Sequence, residues 1–183
     1  MRHGEDKKKA GVNIEDLGLT RRGIRDVKKS CKYYLRYDIK SIYCSPAVRT
    51  VQTANILAKY LKVPVTVLDD LNERFRINHK PNTTEEKEWW ADFLTYNNTQ
   101  RKHETCKTFF DRYFKALDEI KACHDEADEN VIIVGHSASL YAISAYFHGI
   151  PKDGKVVWMQ CGTCSRINFE TQRNMAHFPG MRV

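Results

Sequence analysis

The sequence predicts an α/β protein, a layered domain with a largely parallel central sheet between helices. Three observations carry this expectation. Short apolar runs that read as strands alternate with stretches of helical periodicity. The run Val131-Ile132-Ile133-Val134 is apolar throughout, as strands covered on both faces are. Unusual polar residues also follow directly on strand ends, where open α/β sheets collect functional groups. A length of 183 residues suits a single domain, 1–183, with one core. The hydrophobic fraction of 42% and aromatic fraction of 11% supply that core and exclude intrinsic disorder as the main description.

The first helix is predicted from Thr20, a natural N-cap, to about Tyr37, with Ile24, Val27, Cys31, Tyr34 and Leu35 at near-helical spacing. Ser41–Cys44 reads as a short buried strand stopped by Ser45-Pro46. A second helix then runs to Leu61, with Val51, Ala54, Leu57, Ala58 and Leu61 along one stripe. Val65–Leu68 is the next strand candidate, and Arg74–Thr84 has loop composition. Two helical segments follow, Glu85–Tyr96 and Glu104–Cys123. After the strand Val131–Val134, a helix from Ala138 to about Phe147 ends at Gly149, with Pro151 just beyond. Val156–Met159 and Ser165–Phe169 complete the strands.

Composition narrows the partners. Thirty Lys and Arg against 23 Asp and Glu leave a net charge of +7, which suits an anionic partner, either a small phosphorylated molecule or a nucleic acid. The basic residues Lys7, Lys8, Lys9, Arg21, Arg22, Arg25, Lys28 and Lys29 read equally well as a solvated face or one that attracts anionic substrates, so nucleic-acid binding is not expected. No apolar run approaches the roughly 18 residues that span a bilayer, and no signal peptide opens the chain, so a soluble cytoplasmic protein without a membrane partner is expected. The six cysteines are expected as free thiols. Cys161 and Cys164 form one Cys-x-x-Cys with no second pair and no His nearby in sequence to complete a zinc site, so no metal is expected there.

The chemistry concentrates in three places. Val131–Val134 runs straight into His136 at the start of a helix, and the strand ending at Cys44 places Arg49 in the first turn of the next helix. Arg2-His3-Gly4-Glu5 opens the chain. Two His and two Arg converging at one sheet edge make a cationic pocket, reinforced by the positive ends of the helix dipoles. Such a pocket wants a phosphate.

Arg2-His3-Gly4-Glu5, Leu19-Thr20-Arg21-Arg22-Gly23, the segment Ser45-Pro46-Ala47-Val48-Arg49-Thr50-Val51-Gln52-Thr53-Ala54, Leu71-Asn72-Glu73 and Val134-Gly135-His136 together resemble the histidine phosphatase superfamily, the phosphoglycerate-mutase-like fold. They occur in the family's order over nearly the whole chain, and the Ser-Pro-Ala segment is the most specific. The resemblance implies a three-layer sandwich with a small helical cap insertion at about 74–115. It also implies hydrolysis of phosphomonoesters of small metabolites without a cofactor or metal. His3 is then the nucleophile, forming a phosphohistidine. Arg2, Arg49 and His136 hold the non-bridging oxygens, and Glu73 matches the proton donor. Glu5, Asp69 and Asp70 are competing acids near that role. The remaining histidines, His79, His103, His124, His148 and His177, read as surface or loop residues. Trp89, Trp90, Phe93 and Tyr96 read as packing that could also shape specificity.

Several features depart from the family pattern. In that family Arg-His-Gly ends a buried strand, yet only Met1 precedes Arg2, so a first strand of roughly five to six residues is expected to be missing. Asp6 stands where Thr or Ser is common, Asn13 is a weak match to the family's Asn, and Ser137 replaces Gly or Asn. The alternatives to hydrolysis are mutase-type phosphotransfer and a weakly catalytic phospholigand-binding protein. The short chain favours hydrolysis over the mutase.

Overall fold

The computed structural model describes residues 1–7, 16–74, 84, 104–124, 129–149, 161, 165–167 and 174–177. Its elements in chain order are α1 (Arg21–Tyr34), β1 (Ile39–Cys44), α2 (Val48–Leu61), β2 (Val65–Val67), a 3-10 turn (Asp69–Leu71), α3 (Cys106–Ala122), β3 (Asn130–Val134), α4 (Ser137–His148), β4 (Ser165–Ile167) and β5 (Asn174–His177). β2, β1 and β3 form a parallel sheet in that order. The expected helix Glu85–Tyr96 with its aromatic residues, the strand Val156–Met159, Asn13, His79, His103 and Cys164 lie outside the described residues.

Each helix end has a local cause. The Thr20 hydroxyl caps α1 by accepting from Gly23 N at 2.9 Å, and Thr105 does the same for α3 from Thr108 N at 3.1 Å. α2 closes on Lys62 in the left-handed region, whose N–H donates to Ala58 O at 2.7 Å, and α4 closes on Gly149 with φ +77°.

Side-chain alternation along β1 builds a core on each side of the sheet. Ile42 and Cys44 join Val27, Cys31 and Tyr34 of α1, Ala54 and Leu57 of α2, and Ile132 and Val134 of β3. Tyr43 points the other way, into a second core of Phe109, Phe110, Tyr113, Leu117 and Ile120 of α3 with Tyr141, Ala142 and Ala145 of α4. Val131 and Ile133 pack against that second core while only half-buried. The fully apolar β3 run therefore reflects a strand covered on both faces, one more completely than the other. This is the expected sandwich, with helices on both faces of a parallel sheet.

The structure departs from the sequence reading in two places and adds to it in a third. Leu35, counted on the apolar stripe of α1, is the C-cap and 60% exposed, because the helix stops at Tyr34 before its turn reaches the core. The expected strand Ser165–Phe169 is β4, ending at Ile167, and it pairs antiparallel with β5, a strand the sequence pattern did not mark. His124 lies in the loop after α3, as a surface or loop histidine should, but it is half-buried and anchored. Its Nδ1 lies 2.7 Å from Glu129 Oε2, and its Nε2 lies 3.0 Å from Ser41 Oγ and 2.9 Å from Tyr43 Oη, tying the end of α3 to β1.

Met1–His3 extend the sheet beyond β3. The Met1 amino group donates to Ile133 O at 2.6 Å, Gly135 N to Met1 O at 2.9 Å, and His3 N to Gly135 O at 3.0 Å, forming a parallel bridge between Arg2 and Gly135. The next residues lie against α1 so closely that a Cβ on Gly23 would stand 2.2 Å from Glu5 O. Only glycine fits there. Among the described residues, Cys31, Cys44, Cys106, Cys123 and Cys161 form no disulfide. None of the described helices is long and apolar enough to cross a membrane.

Candidate active site

The register of β1 and β3 sets the site. Cys44 pairs with Val134, so Ser45 and Gly135-His136 leave the sheet edge side by side, with Ser45 N donating to Val134 O at 3.4 Å. The approach of α3 and α4 leaves no room at Gly135, where a Cβ would lie 2.3 Å from Ser139 Oγ and 3.1 Å from the Tyr113 hydroxyl. His136 is buried at the N-cap of α4, its backbone N–H donating to Ser139 Oγ at 2.7 Å.

Hydrogen bonding defines the ring states. Arg49 is buried in the first turn of α2, and its Nη2 lies 3.0 Å from His136 Nδ1. A guanidinium only donates, so Nδ1 accepts and the ring proton sits on Nε2. From there it donates to Ser45 Oγ at 2.7 Å, and Ser45 Oγ lies 2.8 Å from Thr50 Oγ1. The Thr50 hydroxyl returns to the Ala47 carbonyl at 2.6 Å. The Ser-Pro-Ala segment thus holds the arginine and the histidine in one network.

His3 lies across from His136, with ring centroids 5.5 Å apart and planes inclined by 62°. Its Nδ1 is 2.7 Å from Gly4 O; a carbonyl only accepts, so Nδ1 carries the proton and Nε2 the lone pair. Burial, then the Arg49 charge and, after it, that of Arg2 lower the His3 pKa to about 3, while the Gly4 carbonyl opposes the shift. His136 is held well below the usual imidazole range by burial first, then by Arg49, His3, Arg2 and Arg112. Two neutral imidazoles therefore stand with two guanidiniums that stay charged. This grouping favours an anion and offers it a neutral nitrogen nucleophile.

Other motif residues anchor this arrangement. Gly4 N donates to Thr53 Oγ1 at 3.1 Å, and that hydroxyl donates to Arg49 O at 2.8 Å. Gln52 Oε1 accepts from Leu19 N at 2.8 Å, fixing the strand-like bridge of Asp6 with Leu19. Of the competing acids, Glu5 accepts from the Thr20 hydroxyl at 2.7 Å, and Asp70 stands 3.6 Å from Lys115 Nζ.

Glu73 follows the 3-10 turn after β2. Its Oε1 accepts from Arg74 N at 3.1 Å, and its backbone N–H donates to Asn72 Oδ1 at 2.9 Å. The negative charge of Glu73 is felt at the buried Tyr113 hydroxyl, whose pKa is raised by burial first and further by Glu73. Tyr113 thus links the surroundings of Glu73 to those of Gly135-His136.

The residue the sequence reading missed is Arg112 of α3. Its Nε and Nη2 grip Glu104 Oε1 and Oε2 at 2.7 and 2.8 Å. Nη1 donates to Asp70 O at 2.7 Å and Asn72 O at 3.0 Å, and Nη2 to Glu73 O at 3.1 Å. All five N–H groups of the fork are therefore used, and the guanidinium also lies 4.9 Å from the Phe109 ring centroid. No spacing rule signals this, because Glu104 precedes the helix by two residues and the carbonyl acceptors come from about 40 residues away.

The neutral buried imidazoles have a consequence for stability. A histidine with a depressed native pKa binds protons in the unfolded chain first, so its contribution is complete above about pH 6.5 and is lost as pH falls toward about 3. His3 alone is expected to lower unfolding free energy by about 2 kcal/mol between pH 7 and pH 5. Urea unfolding at the two pH values measures this, and His3→Gln should flatten the difference.

The fold and the site together define an α/β domain with two histidines and two arginines gathered at the carboxyl edge of a parallel sheet. The chain belongs to the histidine phosphatase superfamily (branch 1), whose family model matches residues 1–181. It is 27% identical over 152 residues to the uncharacterized phosphatase PhoE of Bacillus subtilis, covering 81% of this chain and 76% of that protein. Among solved structures it resembles Bacillus stearothermophilus YhfR, with a TM-score of 0.75, 22% identity and coverage of 94% and 92% of the two chains. A mycobacterial glucosyl-3-phosphoglycerate phosphatase in complex with inorganic phosphate matches with a TM-score of 0.72 at 19% identity, over 97% of this chain and 92% of that one.

Proposed function

We propose that this protein is a phosphatase that hydrolyses phosphomonoesters of small metabolites through a phosphohistidine at His3. The observation that carries this reading is the state of His3: a buried, neutral ring with its proton held on Nδ1 by Gly4 O, so that the Nε2 lone pair is free to attack phosphorus. Arg2 and Arg49 bind the non-bridging oxygens, and His136, held between Ser45 Oγ and the Arg49 guanidinium, fixes Arg49 across from His3. Phosphoryl transfer asks mainly for in-line positioning and charge stabilisation, and these groups supply both.

In the first step the Nε2 lone pair forms the N–P bond while the P–O bond breaks, its electrons leaving with the ester oxygen. Glu73 protonates that oxygen. In the second step water attacks phosphorus, Glu73 takes the water proton, and the N–P electrons return to Nε2 as phosphate departs. The small-metabolite class draws support from the related structure named as a glucosyl-3-phosphoglycerate phosphatase.

The test combines a panel of phosphate esters with trapping of the intermediate. The expected results are release of free phosphate, no isomerisation of 3-phosphoglycerate, inhibition by vanadate, and acid-labile phosphate on His3. Glu73→Ala should slow turnover by about 10²–10⁴-fold, most for poor leaving groups. Isomerisation at a comparable rate would establish the mutase reaction instead. Phosphate binding without label or turnover would leave a phospholigand-binding protein.

A further inference from the structure

Cys161 has no histidine near it in sequence, but the fold brings one. The ligand atoms of Cys161, Asp6 and His3 all lie within 4.8 Å of one another, although the cysteine comes from the far end of the chain. We propose that these three side chains form a zinc site at the mouth of the phosphate pocket, where the ion occupies the His3 nitrogen that attacks phosphorus and so inhibits turnover. The inhibitory part rests on the phosphatase reading above; metal binding itself does not.

Four observations support the assignment. The donors are one imidazole nitrogen, one carboxylate oxygen and one thiol sulfur. That mixed set suits zinc and disfavours magnesium and calcium, which take oxygen ligands. The Gly4 carbonyl receives the Nδ1 proton of His3, as outer partners commonly do for metal-binding histidines, and this leaves the Nε2 lone pair for a ligand. His3 is buried while Asp6 and Cys161 are half-buried, so the cluster is sheltered on one side and reachable from the other. Asp6 is also held in place, through its bridge to Leu19 and the bond from Lys7 N to Gly18 O at 2.9 Å.

Tetrahedral ligands at zinc distances stand roughly 3.5 Å apart, so modest rotation of Asp6 and Cys161 closes the site. Three protein ligands leave a fourth position for water or a phosphate oxygen. A thiolate and a carboxylate offset the double positive charge, while Arg2 and Arg49 oppose it. Binding is therefore weaker than at a structural zinc site and reversible by chelation. Asp6, which stands where Thr or Ser is common in the family, and Cys161 are what make this pocket a metal trap.

The test uses zinc inhibition of the chelator-treated protein alongside cobalt(II) as a spectroscopic substitute. Wild type should take up one cobalt with a thiolate-to-metal charge-transfer band. Cys161→Ser should lose the band and raise the half-inhibitory zinc concentration at least tenfold, with its zinc-free turnover unchanged. Asp6→Asn should weaken both effects, and Cys123→Ser, altering the exposed thiol, should leave both intact. Equal zinc inhibition of wild type and Cys161→Ser, or a band that follows Cys123 or Cys164 instead, would overturn the site. A Cys161-dependent band in a protein without phosphatase turnover would keep the site and overturn the function proposed above.

Discussion

His3→Ala is expected to lower kcat/KM on phosphate esters by on the order of 10⁴-fold or more, with the fold retained. The size of the effect follows from the state of the neighbouring groups. His136 is the one other imidazole in the pocket among the described residues, and it cannot take over: its Nε2 holds the proton given to Ser45, and its Nδ1 receives Arg49. Its surroundings also keep it from turning toward substrate, because Ser45 and Thr50 fix the ring from behind. Arg2 and Arg49 would still bind phosphate in the variant. The expected pattern is therefore near-wild-type inhibition by inorganic phosphate with turnover gone. Steady-state kinetics on an aryl phosphate, with circular dichroism to verify folding, measure it. Comparable activity in His3→Ala would end the phosphohistidine mechanism.

Arg112→Ala is expected to cost about 3 kcal/mol in stability and to change leaving-group dependence. Breaking a buried ion pair leaves an uncompensated charge, and such losses run to roughly 3–5 kcal/mol. The lower end applies because the Arg112 and Glu104 side chains are 19% and 11% exposed. The same substitution removes the donors to the carbonyls of Asp70, Asn72 and Glu73, which set the backbone that carries Glu73. A loosened Glu73 protonates the leaving oxygen less well, so esters of poor leaving groups should suffer more than activated aryl esters. Arg112→Lys restores the charge but not the planar fork, and should recover part of the stability without recovering the leaving-group profile. Urea unfolding and a Brønsted plot across leaving groups separate the two effects. An unchanged Brønsted slope in Arg112→Ala would limit this residue to holding the fold. In a cycle with Glu73→Ala, the two substitutions should be less than additive on poor leaving groups.

The elements that carry the site were legible because their causes are local. Thr20 caps α1 through its own hydroxyl, the apolar run of β3 reads as a covered strand, and Gly149 ends α4 in a conformation glycine favours. The β4–β5 pair was only half-legible. Three- and four-residue strands carry too few alternations for a period to stand out, and their pairing depends on the partner rather than on either segment. The anchoring of the loop residue His124 was not legible for a related reason: its partners Ser41 and Tyr43 lie more than 80 residues earlier in the chain.

The site divides in the same way. The residue types of the pocket, and the strand ends and helix starts that hold Arg49 and His136, were written in local order, since a parallel α/β sheet gathers its strand ends along one edge whatever else the chain does. Which nitrogen of each ring carries the proton, how deeply His3 is desolvated, and the grip of Arg112 on the Glu73 loop were decided only in three dimensions. So was the meeting of Cys161 with His3 and Asp6. Protonation, burial and ligand geometry are properties of neighbours, and in this chain, Gly4 beside His3 aside, most of those neighbours are dozens to more than a hundred residues apart.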